Sequence, residues 1–343
     1  MAVTSKEIAG LAGVSRGTVD RVLHNRPGVK AQTRERVEKI ARQLGYVPFR
    51  AGRALSSARR AFTIGLILNC VGIRFYDEVL RGIEDCRAAY ADFNLQLSDC
   101  RLQGYALCDQ LSALDRLAEA KPDALLITPL NAPEVAQRID RLVGEGIPVV
   151  TLNNDISGTR RMLYVGCNYF DSGRTAAGLM GLFTGGRGRA GLVLGSARML
   201  GQQQREEGFR SELSLRCPQM ELAGVIEGDD DDVRTYRQVL GLWERCGRLD
   251  ALYFAAAGAY GGVSALEEIC GGRMPAVIAS DAVEETCRLI LEGKVQATVC
   301  QQPYRQGYEA LKNILEYLIS GRMLAQEQLF MQNEIKIAQN LEG

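Results

Sequence analysis

Nine short apolar runs, separated for the most part by amphipathic stretches, fill the chain from Phe62 onward and dictate its fold class. They are FTIGLIL (Phe62 to Leu68), FNLQLSD (Phe93 to Asp99), ALLIT (Ala124 to Thr128), IPVVTL (Ile147 to Leu152), AGLVLG (Ala190 to Gly195), LAGVIEG (Leu222 to Gly228), ALYFAA (Ala251 to Ala256), AVIASD (Ala276 to Asp281) and ATVCQQ (Ala297 to Gln302). Runs this short and this apolar suit strands covered on both faces. Helical patterns between them supply the covering layers, which is the βαβ signature of doubly wound parallel sheets. More than 270 residues of this texture exceed one average domain, so two α/β lobes are expected.

In such sheets a ligand sits outside the carboxyl ends of the strands. Those ends carry Asn69, Phe75 and Tyr76 after the first run, Asn153, Asn154 and Asp155 after the fourth, Asp281 closing the eighth, and Gln301 and Gln302 closing the last. Planar amides and a carboxylate beside aromatic faces match a polyhydroxyl ligand, whose hydroxyls both give and take hydrogen bonds.

The first twenty-five residues have a different texture. Thr4 with Glu7 three residues on forms a capping box, and Ile8, Leu11 and Ala12 follow at helical spacing. Gly13 breaks the pattern, and Ser15 caps a second helix whose Val19, Val22 and Leu23 share a face. Two helices on a tight glycine turn make a helix-turn-helix. The second helix presents Arg16, Gly17, Thr18, Asp20 and Arg21 on its other side, where a major groove would receive them. Arg16 suits a bidentate guanine contact, Thr18 a phosphate or a thymine methyl, and Asp20 a cytosine amino group or the orientation of Arg21. Gln32 to Leu44 reads as a third helix ended by Gly45, with Pro48 beyond it. The next stretch, FRAGRALSSARR, is too polar for a core helix and reads as a linker.

Charge supports that division. The net charge is zero, but residues 1 to 60 hold 13 Lys and Arg against 4 Asp and Glu, and the remainder 28 against 37. A basic head on an acidic body points to a polyanion partner at the head alone. No run approaches eighteen apolar residues and the N-terminus lacks an apolar signal core, so no membrane partner and a cytoplasmic location are expected. Ten cysteines without a C-x-x-C pair read as reduced thiols, and neither metal nor cofactor is expected.

The segments KEIAGLAGVSRGTVDRVLHNRPGV, TRERVEKIARQLGYVP and RAGRALSS resemble the DNA-binding head and hinge of the lac-repressor/galactose-repressor (LacI/GalR) family of bacterial transcription regulators. The resemblance implies a head over residues 1–48, a hinge helix over 49–61 and an effector-binding and dimerisation body over 62–343. It implies base contacts by Arg16 and Gly17, a DNA contact by Arg21, and a minor-groove wedge by Leu55 with Arg53 beside it. Thr4, Ser15, Thr18, His24 and Asn25 complete the expected DNA-facing set. Two positions depart from the family pattern: Asp20 stands for a common serine and Phe49 for a common asparagine.

The body is similar to the periplasmic sugar-binding-protein fold of the ribose-binding style. That resemblance makes Phe75 and Tyr76 the aromatic sandwich, Asp281 a ligand carboxylate and Gln301 a ligand amide. It puts Asn153 and Asn154 where an acid and an arginine are usual, Gln203 where an arginine often clamps the sugar, and Ala257 near a usual asparagine or aspartate. Fewer charges imply a neutral sugar or polyol. The expected protein is thus a ligand-controlled repressor rather than an enzyme, a homodimer on a pseudo-palindromic operator, because the chain ends without a tetramerising leucine-heptad helix. The alternative is a sugar-processing enzyme, using acids such as Asp155 and Asp281, with an accessory head. Three other features are read as structural. The G-x-G-x-x-G from Gly186 to Gly191 precedes a strand and is taken as a turn, Asp229 to Asp232 as a solvated loop, and Trp243 as core.

Overall fold

The computed structural model describes residues 5–23, 28–43, 61–322 and 326–341. The chain divides into compact units at Ala61/Phe62, and each is described by itself.

In the head, α1 (Ser5–Ala12), α2 (Arg16–Leu23) and α3 (Ala31–Gln43) enclose a core of Ile8, Ala12, Val19, Val22, Val37 and Ala41. Gly13 turns the chain at φ +62, a conformation glycine adopts without steric cost. Ser15 Oγ accepts the Thr18 amide at 3.1 Å, the expected cap of α2. Leu11, which shares the helical spacing of Ile8 and Ala12, lies 64% exposed, so the inner stripe of α1 is Ile8, Ala9 and Ala12. The caps at Thr4 and Gly45, and the whole linker, lie outside the described residues.

The body contains two six-stranded sheets. One has the order β11-β5-β4-β3-β1-β2, built from β1 (Phe62–Asn69), β2 (Leu95–Leu102), β3 (Ala124–Ile127), β4 (Val149–Leu152), β5 (Leu163–Cys167) and β11 (Gln328–Met331). The other has the order β12-β10-β9-β8-β6-β7, built from β6 (Arg187–Leu194), β7 (Gln219–Glu227), β8 (Ala251–Phe254), β9 (Ala276–Ser280), β10 (Ala297–Cys300) and β12 (Glu334–Lys336). All pairings are parallel except β10 with β12. Ile64 at the centre of the first sheet faces Leu97 on one side and Ala124 on the other, fully buried. Burying such a side chain contributes about 1.5–3 kcal/mol.

All nine apolar runs contain strands, with ends shifted by a few residues. β5, β11 and β12 escape the sequence pattern. The apolar set of β5 is only Leu163, Tyr164 and Val165, and the other two are short, half-exposed edge strands. The G-x-G-x-x-G stretch is corrected: only Gly185 and Gly186 form a turn, and Arg187 onward is β6 itself.

The helices of the first lobe are α4 (Phe75–Ala89), α5 (Leu107–Ala120) and α6 (Pro133–Gly144). The second lobe has α8 (Leu200–Arg216), α9 (Asp232–Cys246), α10 (Ala259–Ile269) and α11 (Glu284–Leu291). The chain crosses between lobes before α7 (Tyr169–Thr184), at the start of α12 (Pro303–Ser320), and between β11 and β12. Glycines seat both crossing helices. A Cβ on Gly307 of α12 would stand 2.0 Å from the Val79 carbonyl of α4, and one on Gly173 of α7 would stand 2.1 Å from the Arg205 carbonyl of α8. Backbones this close fix where the first residues of α4, and Arg205 on α8, face the space between the sheets.

Candidate functional site: a cleft between two lobes

The carboxyl ends of both sheets line a cleft of about 1010 Å³, part of it open solvent. Three lining residues, Asn153 after β4, Asp230 after β7 and Asp281 after β9, have φ of +64, +57 and +64. Asn and Asp tolerate this region best, and its recurrence at three strand ends marks backbone bent to aim side chains inward.

The wall from the first lobe is aromatic and amide. Phe75 and Tyr76 meet edge to face at 5.3 Å between centroids. The Tyr76 hydroxyl donates to Asn153 Oδ1 at 3.3 Å, and Asn154 Nδ2 donates to the same oxygen at 2.9 Å. Asn153 Nδ2 in turn reaches Gln301 Oε1 at 3.4 Å and Gln306 Oε1 at 3.3 Å. Asn154 Oδ1 accepts the Gly201 amide of the other lobe at 3.0 Å. These amides are thus already engaged with one another.

The opposite wall carries charge. Arg205 is 2% exposed, lies 4.6 Å over the Tyr169 ring, and donates Nη1 to the Ala255 carbonyl, while Nε and Nη2 have no hydrogen-bond partner among the described residues. Buried polar groups are normally hydrogen-bonded, so these two guanidinium nitrogens stand out in the cleft wall. Asp281 accepts from Gln301, through its amide at 3.3 Å and Nε2 at 2.8 Å, and the Tyr169 hydroxyl holds Gln301 Oε1 at 2.9 Å. Burial raises the Asp281 carboxyl from the usual 3.8 to about 6, against the lowering effect of Arg205. Burial raises Asp230 too, although it accepts from the Tyr105 hydroxyl and from the Ala257 amide. Cys167 borders this network, and burial pushes its thiol up to about 12.

Phe75, Tyr76, Asn153, Asn154, Ala257, Asp281 and Gln301 therefore line the cleft, whereas two expected contacts do not. Gln203 sits outside it, bonded to the Ala197 carbonyl at 2.7 Å and to Asn131 across the lobes at 3.2 Å. The guanidinium is supplied two residues along by Arg205, which on a helix lies on a different side. The premise that the cleft has lost its arginine is corrected accordingly. Asn69 is buried against the protein, donating to the Gly104 carbonyl at 2.7 Å and accepting from Gln110 at 2.8 Å. Asp155 is locked to Arg161 by bonds of 2.5 and 2.6 Å, and Gln302 reaches Glu334.

The acidic run is corrected as well. Asp229 pairs with Arg234 at 2.8 Å, Asp230 faces the cleft, Asp231 caps α9, and Asp232 accepts the Gly261 amide at 2.9 Å. Tyr105, Tyr169, Gln202, Arg205 and Asp230 are among the lining residues that sequence reasoning missed. Only Arg205 carried a signal, as a cation beside an already suspected position.

On the head, Val19 and Val22 of α2 are buried, while Arg16, Gly17 and Arg21 are exposed. The Thr18 hydroxyl lies 3.0 Å from that of Ser15, and a Cβ on Gly17 would meet nothing closer than 3.8 Å. The side chain of Asp20, and all of Thr4, His24, Asn25, Arg53 and Leu55, lie outside the described residues.

A helix-turn-helix head and a two-lobed body with a polar cleft define a class, that of binding-protein-like regulators. Residues 64–322 match the model of the periplasmic binding protein domain, and residues 4–48 match that of bacterial regulatory proteins, lacI family. The chain belongs to the periplasmic binding protein domain family through its body and to the lacI family through its head. It is 27% identical to catabolite control protein A of Priestia megaterium over 67% of this chain and 66% of that one. It is 29% identical to the regulator AglR of Rhizobium meliloti over 70% and 65%. The match thus spans about two thirds of these relatives' length. The fold is similar to that of GanP, a glucose-galactose binding protein from Geobacillus stearothermophilus, with a TM-score of 0.76 and 22% identity over 82% of this chain and 99% of that one. No helix among the described residues is long and apolar enough to cross a membrane.

Proposed function

We propose that the protein is a sequence-specific DNA-binding transcriptional repressor of the cytoplasm, whose operator affinity is set by a small neutral sugar or polyol held in the cleft. The observation that carries the ligand class is that Arg205, with Nε and Nη2 lacking a hydrogen-bond partner among the described residues, shares the cleft lining with two carboxylates, Asp230 and Asp281. A hydroxyl both accepts from the guanidinium and donates to a carboxylate, whereas an anionic ligand would meet two like charges against one opposite. Neutrality thus rests on this balance and no longer on a missing arginine. The sugar bound by GanP belongs to the same class. The matching relatives are transcription regulators, which favours binding over turnover.

In this reading Arg16, Gly17, Thr18 and Arg21 face DNA, and two copies of the chain occupy a pseudo-palindrome. Leu55 wedges a base step, with Arg53 beside it, when the two hinges fold together. Ligand shifts the lobes and so biases the hinges, a coupling of about 1–3 kcal/mol.

A thermal-shift panel of neutral sugars, polyols, sugar phosphates and sugar acids tests the ligand class. A neutral member at about a hundred times its dissociation constant adds roughly 2.7 kcal/mol. A response to phosphates or acids alone would sink the neutral reading, and turnover of the bound sugar would sink the non-enzymatic one. Leu55→Ala should weaken operator binding and leave sugar binding intact.

A further inference from the structure

Two lobes can be tied at either edge of the cleft mouth, and here the edges differ. At one, Arg74 of the first lobe reaches Glu285 at 2.8 Å and Glu284 at 3.3 Å, with the Glu284 side chain 84% exposed. Water and salt screen a tie of that kind. At the other, Tyr105 in the turn after β2 donates its hydroxyl to Asp230 Oδ2 of the second lobe. Its own carbonyl accepts from Nη1 of Arg198, also of the second lobe, at 2.8 Å.

Both partners are firmly mounted. The turn bearing Tyr105 is braced at the Gly104 carbonyl by Asn69, which is held by the fully buried Gln110. Asp230 is fixed through Oδ1 by the Ala257 amide and by left-handed backbone at Asp229 and Asp230. The space is tight: a Cβ on Gly195 would stand 2.8 Å from Asp230 Oδ2. Burial lifts the Tyr105 hydroxyl well above its ordinary range, as does the neighbouring Asp230 charge, so the phenol stays protonated and donating.

We propose that Tyr105 is a positioning residue that sets the balance between open and closed cleft by bonding Asp230 across the lobes. Asp230 then serves ligand and closure with one carboxylate, and the mouth yields first along the Arg74 edge. The consequence for ligand rests on the proposed effector cleft; the tie itself needs only protein atoms.

Small-angle scattering on the full chain without added sugar tests it, with circular dichroism and melting to confirm that each variant is folded. Tyr105→Phe keeps the ring and removes only the donor. It should raise the radius of gyration as much as Asp230→Ala does, and the double variant should add nothing further. Asp230→Asn leaves one oxygen for the Ala257 amide and the Tyr105 hydroxyl, and should open the cleft less than Asp230→Ala. Arg74→Ala should change least. An unchanged radius in folded Tyr105→Phe, or additive increases in the double variant, would overturn the proposal. If no sugar binds but these radii shift as stated, the effector reading fails and the tie stands. If a sugar binds and Tyr105→Phe does not move, only the tie fails.

Discussion

The two walls of the cleft are made of different chemistry. The wall from the first lobe offers aromatic faces and amides already bonded to one another, with Asn153 Oδ1 accepting from both Tyr76 and Asn154. The wall from the second lobe offers charge left partly unmatched, with Nε and Nη2 of Arg205 lacking a hydrogen-bond partner among the described residues. A self-satisfied wall can shape a ligand site but gains little from each new polar contact, since ligand bonds replace existing ones. An unsatisfied buried charge gains most, so affinity and specificity should concentrate on the second lobe.

The largest effect is therefore expected at Arg205. Arg205→Gln should weaken sugar binding at least 100-fold, which is about 2.7 kcal/mol. It should also lower fold stability, because the ionised forms of Asp230 and Asp281 lose the favourable charge of Arg205. Gln203→Ala, two residues away but outside the cleft, should change affinity by less than about twofold, since exposed substitutions rarely exceed about 0.5 kcal/mol. Calorimetric titration of both variants decides, and equal losses would erase the contrast between cleft charge and cleft rim.

That pair of positions also shows where the sequence stops being legible. Lobe number, sheet type and the strand ends that bear the site follow from periodicity, because a buried parallel strand must be an apolar run and its end must face the cleft. Phe75, Asn153, Asp281 and Gln301 were placed at the cleft that way, at the end of such runs or a few residues beyond them. Arg205 was not, because one step along a helix turns a side chain by about 100°, and a helix of mixed polarity such as LGQQQREEGFR does not announce its inner face. Asp230 was hidden for another reason. A run of four aspartates looks solvated, and only the left-handed backbone at Asp229 and Asp230 separates the one that turns inward. Asn69 stands at a strand end like the others, yet it turns sideways to Gly104 and Gln110, a choice set by tertiary contacts alone.

A second prediction sharpens the charge argument through pH. Because the folded pKa of Asp281 is raised, from 3.8 to about 6, the fold holds this proton more tightly than the unfolded chain does. Its contribution to stability is therefore most favourable at low pH and declines as pH rises from about 4 through 6, by on the order of 2 kcal/mol. Ligand binding should run the other way, since a hydroxyl donates best to the ionised carboxylate. Affinity should fall about tenfold between pH 7 and pH 5. Asp281→Asn should flatten both curves. A tenfold fall that survives in Asp281→Asn would assign the titration elsewhere in the cleft.

The smallest effect belongs to the first lobe. Tyr76→Phe keeps the ring against Phe75 and removes a hydroxyl whose bond to Asn153 is 3.3 Å long. Asn153 Oδ1 retains the shorter bond from Asn154 at 2.9 Å, so no buried acceptor is left bare. The expected cost is within about 1 kcal/mol, or less than about fivefold in affinity, with little change in melting temperature. Tyr76→Ala should cost clearly more, because it also removes the aromatic face that would cover the C–H side of a sugar ring. Should Tyr76→Phe instead rival Arg205→Gln in a titration, the hydroxyl would be a principal ligand contact, and the first lobe would carry specificity as much as the second.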